Sequence, residues 1–194
     1  MASLDHREWL RSITGASGDS RWHTGSVLTV LVEGKSDKVA LETLALKLGV
    51  SPDWQVVSLG GVTNIRAALE KYDDVAGLCD SGEERFFLRA LGVSDRAAME
   101  PLGFFVCERD LEEEFIRALG VEGVERVIEE LGQLQALRTF QNQPFQRTRT
   151  PEQQLRRFMG TMSGRKSLYA EALVKALDVI PKPLEKLLGY ALRR

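Results

Sequence analysis

From Val27 onward, short β-branched runs alternate with segments in which apolar residues recur every three or four positions. Residues 27–32 ("VLTVLV") are a short β-branched run, the pattern of a strand. Residues 37–48 then carry apolar side chains at helical spacing, and Gly49 is the stop. The same reading predicts strands over residues 54–59, 75–79 and 103–107, and helices over residues 65–72 and 84–91. "ERDLEEEFIRALG" opens a further helix at Asp110. Strands alternating with helices predict an α/β fold around a mostly parallel four-stranded sheet. Beyond Gly120 the pattern is helical only, over residues 124–137, 152–159, 167–177 and 184–192, with the polar, proline-marked "TFQNQPFQRTRTP" as a linker. Three parts follow: residues 1–26 as an N-terminal helix and loose arm, 27–119 as an α/β core, and 120–194 as a helical extension that completes the site.

Composition adds exclusions. The 194 residues, 43% hydrophobic and 28% charged, suffice for one domain with a decoration or at most two small ones. No apolar run is long enough to span a membrane, and the first fifteen residues carry Asp5 and Glu8 and no secretory apolar core. Cys79 and Cys107 sit in strand-like apolar runs without zinc spacing, which suits packed thiols in a reducing cytoplasm. The net charge of −2 hides a split: residues 27–137 hold 21 acids against 11 bases, and residues 138–194 hold 4 acids against 12 bases. An acidic part and a basic part suit cation binding and polyanion contact respectively; ordinary solvated helix surface is the plainer alternative.

In parallel α/β sheets, ligands bind beyond the carboxyl ends of the strands. Those ends fall at Glu33, at Gly60-Gly61, at Asp80, and near Glu108 and Asp110, so topology alone gathers acids at one edge. "EGKS" (Glu33–Ser36) ends as a nucleotide-binding P-loop does, but the glycine such a loop requires five positions earlier is Thr29. The intervening Val-Leu-Val-Glu forms a strand, and Glu33 repels phosphate. Glu33 and Asp37, four residues apart across a strand-to-helix turn, instead offer hard oxygen donors suited to Mg²⁺. Asp37 also has a plainer role as a helix-N-terminal acid favoured by the dipole.

Glu33-Gly34-Lys35-Ser36-Asp37 after an apolar strand, then Gly60-Gly61, then Asp80 after a later strand, resembles the TOPRIM domain of topoisomerases, primases, recombination proteins and OLD (overcoming lysogenization defect) nucleases. "RDLEEEF" (residues 109–115) and "SGRKSLYAEALVKAL" (residues 163–177) are most similar to the OLD-type branch, and the resemblance covers about residues 27–178. It implies a three-layer Rossmann-like fold and metal-dependent phosphoryl transfer, namely DNA phosphodiester cleavage with two Mg²⁺ or Mn²⁺ ions. By position, it makes Glu33 a metal ligand and general base, and makes Asp37, Asp80 and Glu112 further ligands. Lys166, or in second place Arg165, becomes the cation that offsets developing charge. Gly34, Gly60 and Gly61 let backbone approach the substrate. Arg156 and Arg157, with Arg147 and Arg149, form the clearest basic patch for a nucleic-acid backbone.

Two features depart from the family. The usual Asp-x-Asp after the third strand reads Asp80-Ser81-Gly82, so either Glu83 or Glu84 supplies the second carboxylate through a longer arm, or the site is weak and the chain a slow or inactive module that binds nucleic acid or a partner ATPase. The chain also carries no Walker A motif, unlike OLD proteins with their ATPase, so the expectation is a standalone cytoplasmic domain that acts alone, as a homodimer, or with an ATPase on another chain. A small-molecule phosphohydrolase on the same scaffold is a third reading. His6 and His23 lie outside the α/β unit, which argues against histidine chemistry. Trp9, Trp22 and Trp54 are not interleaved with bases and are assigned to packing or an interface.

Overall fold

The computed structural model describes residues 27–161 and 165–194. The expected N-terminal helix and arm, with His6, His23, Trp9 and Trp22, lie outside the described residues. Strands β1 (Leu28–Val32), β2 (Trp54–Ser58), β3 (Val75–Asp80) and β4 (Phe104–Cys107) form one sheet in the order β2-β1-β3-β4, and every pairing is parallel. Helices α1 (Lys35–Leu48), α2 (Ile65–Lys71), α3 (Glu84–Leu91) and the short α4 (Arg96–Met99) connect the strands. After β4 come α5 (Leu111–Glu130), α6 (Leu134–Gln141), α7 (Pro151–Thr161), α8 (Lys166–Ala176) and α9 (Lys182–Ala191). This is the expected α/β fold: a parallel four-stranded sheet followed by C-terminal helices, in a Rossmann-like TOPRIM arrangement.

The near-continuous apolar character of β1 is explained by burial on both faces. Leu28, Val30 and Val32 face a core shared with α1, α5 and the C-terminal helices, through Leu41, Leu44, Phe115, Leu155, Tyr169, Leu173 and Leu187 among others. Leu31 points the opposite way, into a smaller core with Ile65, Phe87, Met99 and Phe104. The two cysteines are free and buried, Cys79 in the smaller core and Cys107 in the larger, on opposite faces of neighbouring strands. Inside β3, a Cβ on Gly77 would lie 2.8 Å from the Phe104 ring and 2.9 Å from the Leu31 carbonyl, so only glycine fits.

The structure corrects one stretch. The single helix expected over residues 124–137 is the second half of α5, which runs on from Leu111 across a non-helical residue, Gly120 (φ 70°). It ends where Gly132 turns left-handed (φ 70°) and donates its N–H to the Glu129 carbonyl at 2.7 Å. A new helix, α6, then starts at Leu134 and takes in the first residues of the expected linker. Elsewhere β3 runs one residue further than expected, which brings Asp80 into the strand, opposite Cys107.

Candidate metal centre

The chain leaves β1 for β2 on one side and returns to β3 on the other, so the crevice between β1 and β3 is the switch point where such sheets bind ligands. Glu33 follows β1 and Asp80 ends β3, one on each side of that crevice. The Glu33 carbonyl accepts from the Gly60 N–H at 3.1 Å and the Ser58 hydroxyl at 3.2 Å, which ties the loop after β2 onto the loop after β1. Gly60 (φ 67°) and Gly61 (φ 140°) make that loop possible in conformations L side chains resist, and present bare backbone beside Glu33.

Gly34 caps α1 and donates its N–H to Asp37 Oδ2 at 2.8 Å. This contact gives Asp37 the helix-capping role that the plainer reading assigns it. Asp37 nevertheless titrates upward, to about 6, because burial strips its solvation; the Gly34 N–H and Lys166 oppose the rise, while Glu112 and Glu33 add to it. Asp80 is pushed up to about 8 by burial, then by the charges of Asp37, Asp110, Glu33 and Glu112. Glu83 rises to about 7 through burial, a hydrogen bond with Glu33, and the charges of Glu33 and Asp37. Its Oε2 is buried without a hydrogen-bond partner. Asp37, Asp80 and Glu83 therefore each feel the charge of Glu33 across the crevice, and Asp37 and Asp80 feel that of Glu112 as well. Glu84 does not join them, because Arg96 holds its carboxylate at 2.6 Å.

The bases arrive from the C-terminal helices. Lys166, exposed at the first position of α8, lies 3.4 Å from Glu112. A cation there works against the helix dipole, so the acidic crevice rather than the helix accounts for its place. Arg165 reaches Gln133 Oε1 at 3.1 Å instead. Arg156 pairs with Asp110, while Arg157 is exposed on the same helix. A cleft of about 10 Å³, room for about one water, lies among Ser36, Asp37, Glu112, Lys166 and Tyr169, over the apolar Leu111, Phe115 and Met159.

Sequence reasoning assigned no site role to two buried acids, Asp110 and Glu114. Asp110 caps α5 by accepting from the Glu113 N–H at 2.8 Å and also holds Arg156. Glu114 reaches back to the Glu108 N–H at 2.8 Å and is paired with Arg117 at 3.1 Å. The signal was the Asp-x-x-x-Glu spacing at a helix start, one turn apart on the face turned toward the strand.

The donor set fits a hard divalent cation: oxygens only, an excess of negative charge, one buried oxygen lacking a partner, and two aspartates that hold protons more tightly than usual. Among the described residues, no three acid, histidine or cysteine side chains are already gathered as a metal cage. No helix there is long and apolar enough to cross a membrane.

No family model matches the sequence, and no curated protein matches it. Solved structures do. The C-terminal region of the Burkholderia pseudomallei OLD protein superposes with a TM-score of 0.65 at 20% identity, over 86% of this chain and 97% of that one. The C-terminal region of the Xanthomonas campestris pv. campestris OLD protein gives 0.66 at 24% identity, over 86% of this chain and 92% of that one. A second structure of that Xanthomonas region gives 0.63 at 25% identity, over 88% and 95%. The chain has a TOPRIM-like fold related to the C-terminal region of OLD proteins.

Proposed function

We propose that the chain is a divalent-metal-dependent endonuclease that hydrolyses DNA phosphodiesters in the manner of OLD-type TOPRIM domains. The observation that carries this reading is the gathering of Glu33, Asp37, Asp80, Glu83 and Glu112 at the β1–β3 switch point, where burial and neighbouring charge raise Asp37, Asp80 and Glu83, with one buried oxygen of Glu83 left over. These five carboxylates would hold two Mg²⁺ or Mn²⁺ ions, with Glu83 in place of the acid absent at Gly82. Bound there, such ions supply Lewis-acid activation of the phosphodiester and of the attacking water. Glu33 accepts the proton that the water loses as its oxygen bonds to phosphorus, while the bridging P–O bond breaks with its electron pair going to the departing oxygen, which takes a proton from solvent. Lys166 Nζ faces the charge that builds on the non-bridging oxygens. Gly34, Gly60 and Gly61 leave room for the strand, and Arg156 and Arg157 contact flanking phosphates, so binding weakens as salt rises.

Calorimetric titration of Mg²⁺ and Mn²⁺, alongside plasmid nicking, tests this. Wild type is expected to bind metal and to nick only in its presence. Glu33→Gln is expected to fold normally and to lose at least a hundredfold in rate, on the order of what a general base contributes. Unchanged nicking by Glu33→Gln sinks the proposal. A second reading, DNA or partner-ATPase binding without turnover, has one observation in its favour: position 82, exposed after β3, is a glycine that offers no ligand. It expects metal-independent DNA retention and no product.

A further inference from the structure

Lys47, in the last turn of α1, donates from Nζ to the carbonyls of Lys175 at 2.7 Å, Val174 at 3.3 Å, and Leu177. Three carbonyls match the three donors of an ammonium group, and they lie at the C-terminal end of α8, where the Val174 carbonyl also accepts from the Leu177 N–H at 3.2 Å. Burial lowers the Lys47 pKa, with Asp178 opposing, so the amine gives up hydration to make these bonds. At the other end of the same two helices, Ser36 and Asp37 of α1 line one cleft with Lys166, Tyr169 and Ala170 of α8. The helices therefore run parallel, with both N-termini at the acidic crevice. From Asp37 to Lys47 is about 15 Å of helix, and from Lys166 to the clamped carbonyls about 12–16 Å, at 1.5 Å per residue. The spans match.

Between the two ends the contact is apolar, made by Ala40, Leu41 and Leu44 on α1 and by Ala170, Leu173 and Val174 on α8. Such a surface favours contact but defines axial position weakly. We infer that Lys47 is a positioning residue: its three-carbonyl clamp sets the register of α8 along α1 and so places Lys166 at the crevice. A one-turn slip of about 5.4 Å removes Lys166 from Glu112, now 3.4 Å away. The catalytic consequence rests on the proposed nuclease activity; the register itself does not.

The test uses Lys47→Met, which keeps the stem and deletes the donors, and Lys47→Arg, which keeps a cationic donor. Spin labels at Glu42→Cys and Leu168→Cys, both exposed, report the α1–α8 distance by pulsed electron resonance. Lys47→Met is expected to broaden that distance distribution or shift it by about 5 Å, with Lys47→Arg near wild type. An unchanged distribution overturns the clamp, whether or not plasmid is nicked. In nicking assays, kcat is expected to fall about tenfold or more in Lys47→Met, with KM within about twofold and recovery in Lys47→Arg. In a Lys166→Met background, Lys47→Met is expected to add nothing. A shifted helix with unchanged kcat, or losses that multiply with Lys166→Met, overturns the positioning role. If wild type fails to nick at all, the nuclease reading fails while the spin-label distances still decide the clamp.

Discussion

Neutralising Asp80 is expected to stabilise the metal-free protein, in proportion to pH. Its carboxyl titrates at about 8 in the fold against 3.8 in the unfolded chain, through burial and the charges of Asp37, Asp110, Glu33 and Glu112. Between those values the folded state holds a proton that the unfolded state has released. The stability this proton contributes is therefore complete below about pH 4 and is lost as pH rises to about 8. At ~1.4 kcal/mol per pH unit the whole interval is worth roughly 6 kcal/mol. Asp80 is only half-buried, so solvent screening and relaxation cut this to roughly 2 kcal/mol. For a domain of this size, 2 kcal/mol corresponds to about 4–8 °C in Tm. Asp80→Asn keeps the shape and removes the charge. Thermal unfolding in chelator is expected to show wild type losing Tm between pH 5 and pH 8, and Asp80→Asn losing clearly less. Asp37 and Glu83, at about 6 and about 7, retain part of the slope in the variant. Excess Mn²⁺ is expected to restore Tm at pH 8 in wild type, through mass action on the folded state. Parallel Tm–pH curves for the two proteins in chelator would refute the account of the crevice as an uncompensated cluster of charge.

Glu83→Gln is expected to weaken divalent-cation affinity by at least about tenfold in calorimetry, with Glu84→Gln near wild type because Arg96 already engages Glu84; equal effects would return the choice between the two acids to the open state in which the sequence left it. Gly77→Ala is expected to cost about 1–3 kcal/mol by urea unfolding, since its Cβ meets Phe104 at 2.8 Å and the Leu31 carbonyl at 2.9 Å; a loss under about 0.5 kcal/mol would mean that β3 and β4 yield more than close packing allows.

What was legible in the sequence depended on local rules. Strands such as residues 28–32 announce themselves because burial on both faces permits only apolar side chains, and the acids at the strand ends follow from topology without any contact being known. The break at Gly132 was missed because an amphipathic pattern runs across it; the apolar stripe of residues 124–137 is real, but two helices carry it. The choice between Glu83 and Glu84, and between Lys166 and Arg165, was out of reach for another reason. In each pair the neighbours differ only in which partner the fold offers: Arg96 for Glu84, and Gln133 for Arg165. Lys47 gave no signal at all, since a lysine in the last turn of a helix is ordinary and its acceptors lie on a helix more than a hundred residues away.

The charge split read from composition acquires a physical meaning at the start of α5. There the acidic part of the chain meets the basic part side chain to side chain, Asp110 with Arg156 of α7 and Glu112 with Lys166 of α8. Both pairs sit at the rim of the crevice. Deeper in, no ion pair among the described residues reaches Glu33, Asp37, Asp80 or Glu83. The C-terminal helices thus neutralise the edge of the acidic cluster and, beyond the pull of Lys166 on Asp37, give its centre no ion-pair partner among the described residues, although basic side chains are abundant in that part of the chain. Burying like charges together without a counter-charge is costly. A sequence that places twelve bases after residue 137, with none of the described ion pairs reaching those four acids, leaves a surplus of carboxyl groups at the centre. That surplus is what a hard cation requires, and the rim bases, already facing the crevice, are placed to meet the phosphate that would follow it.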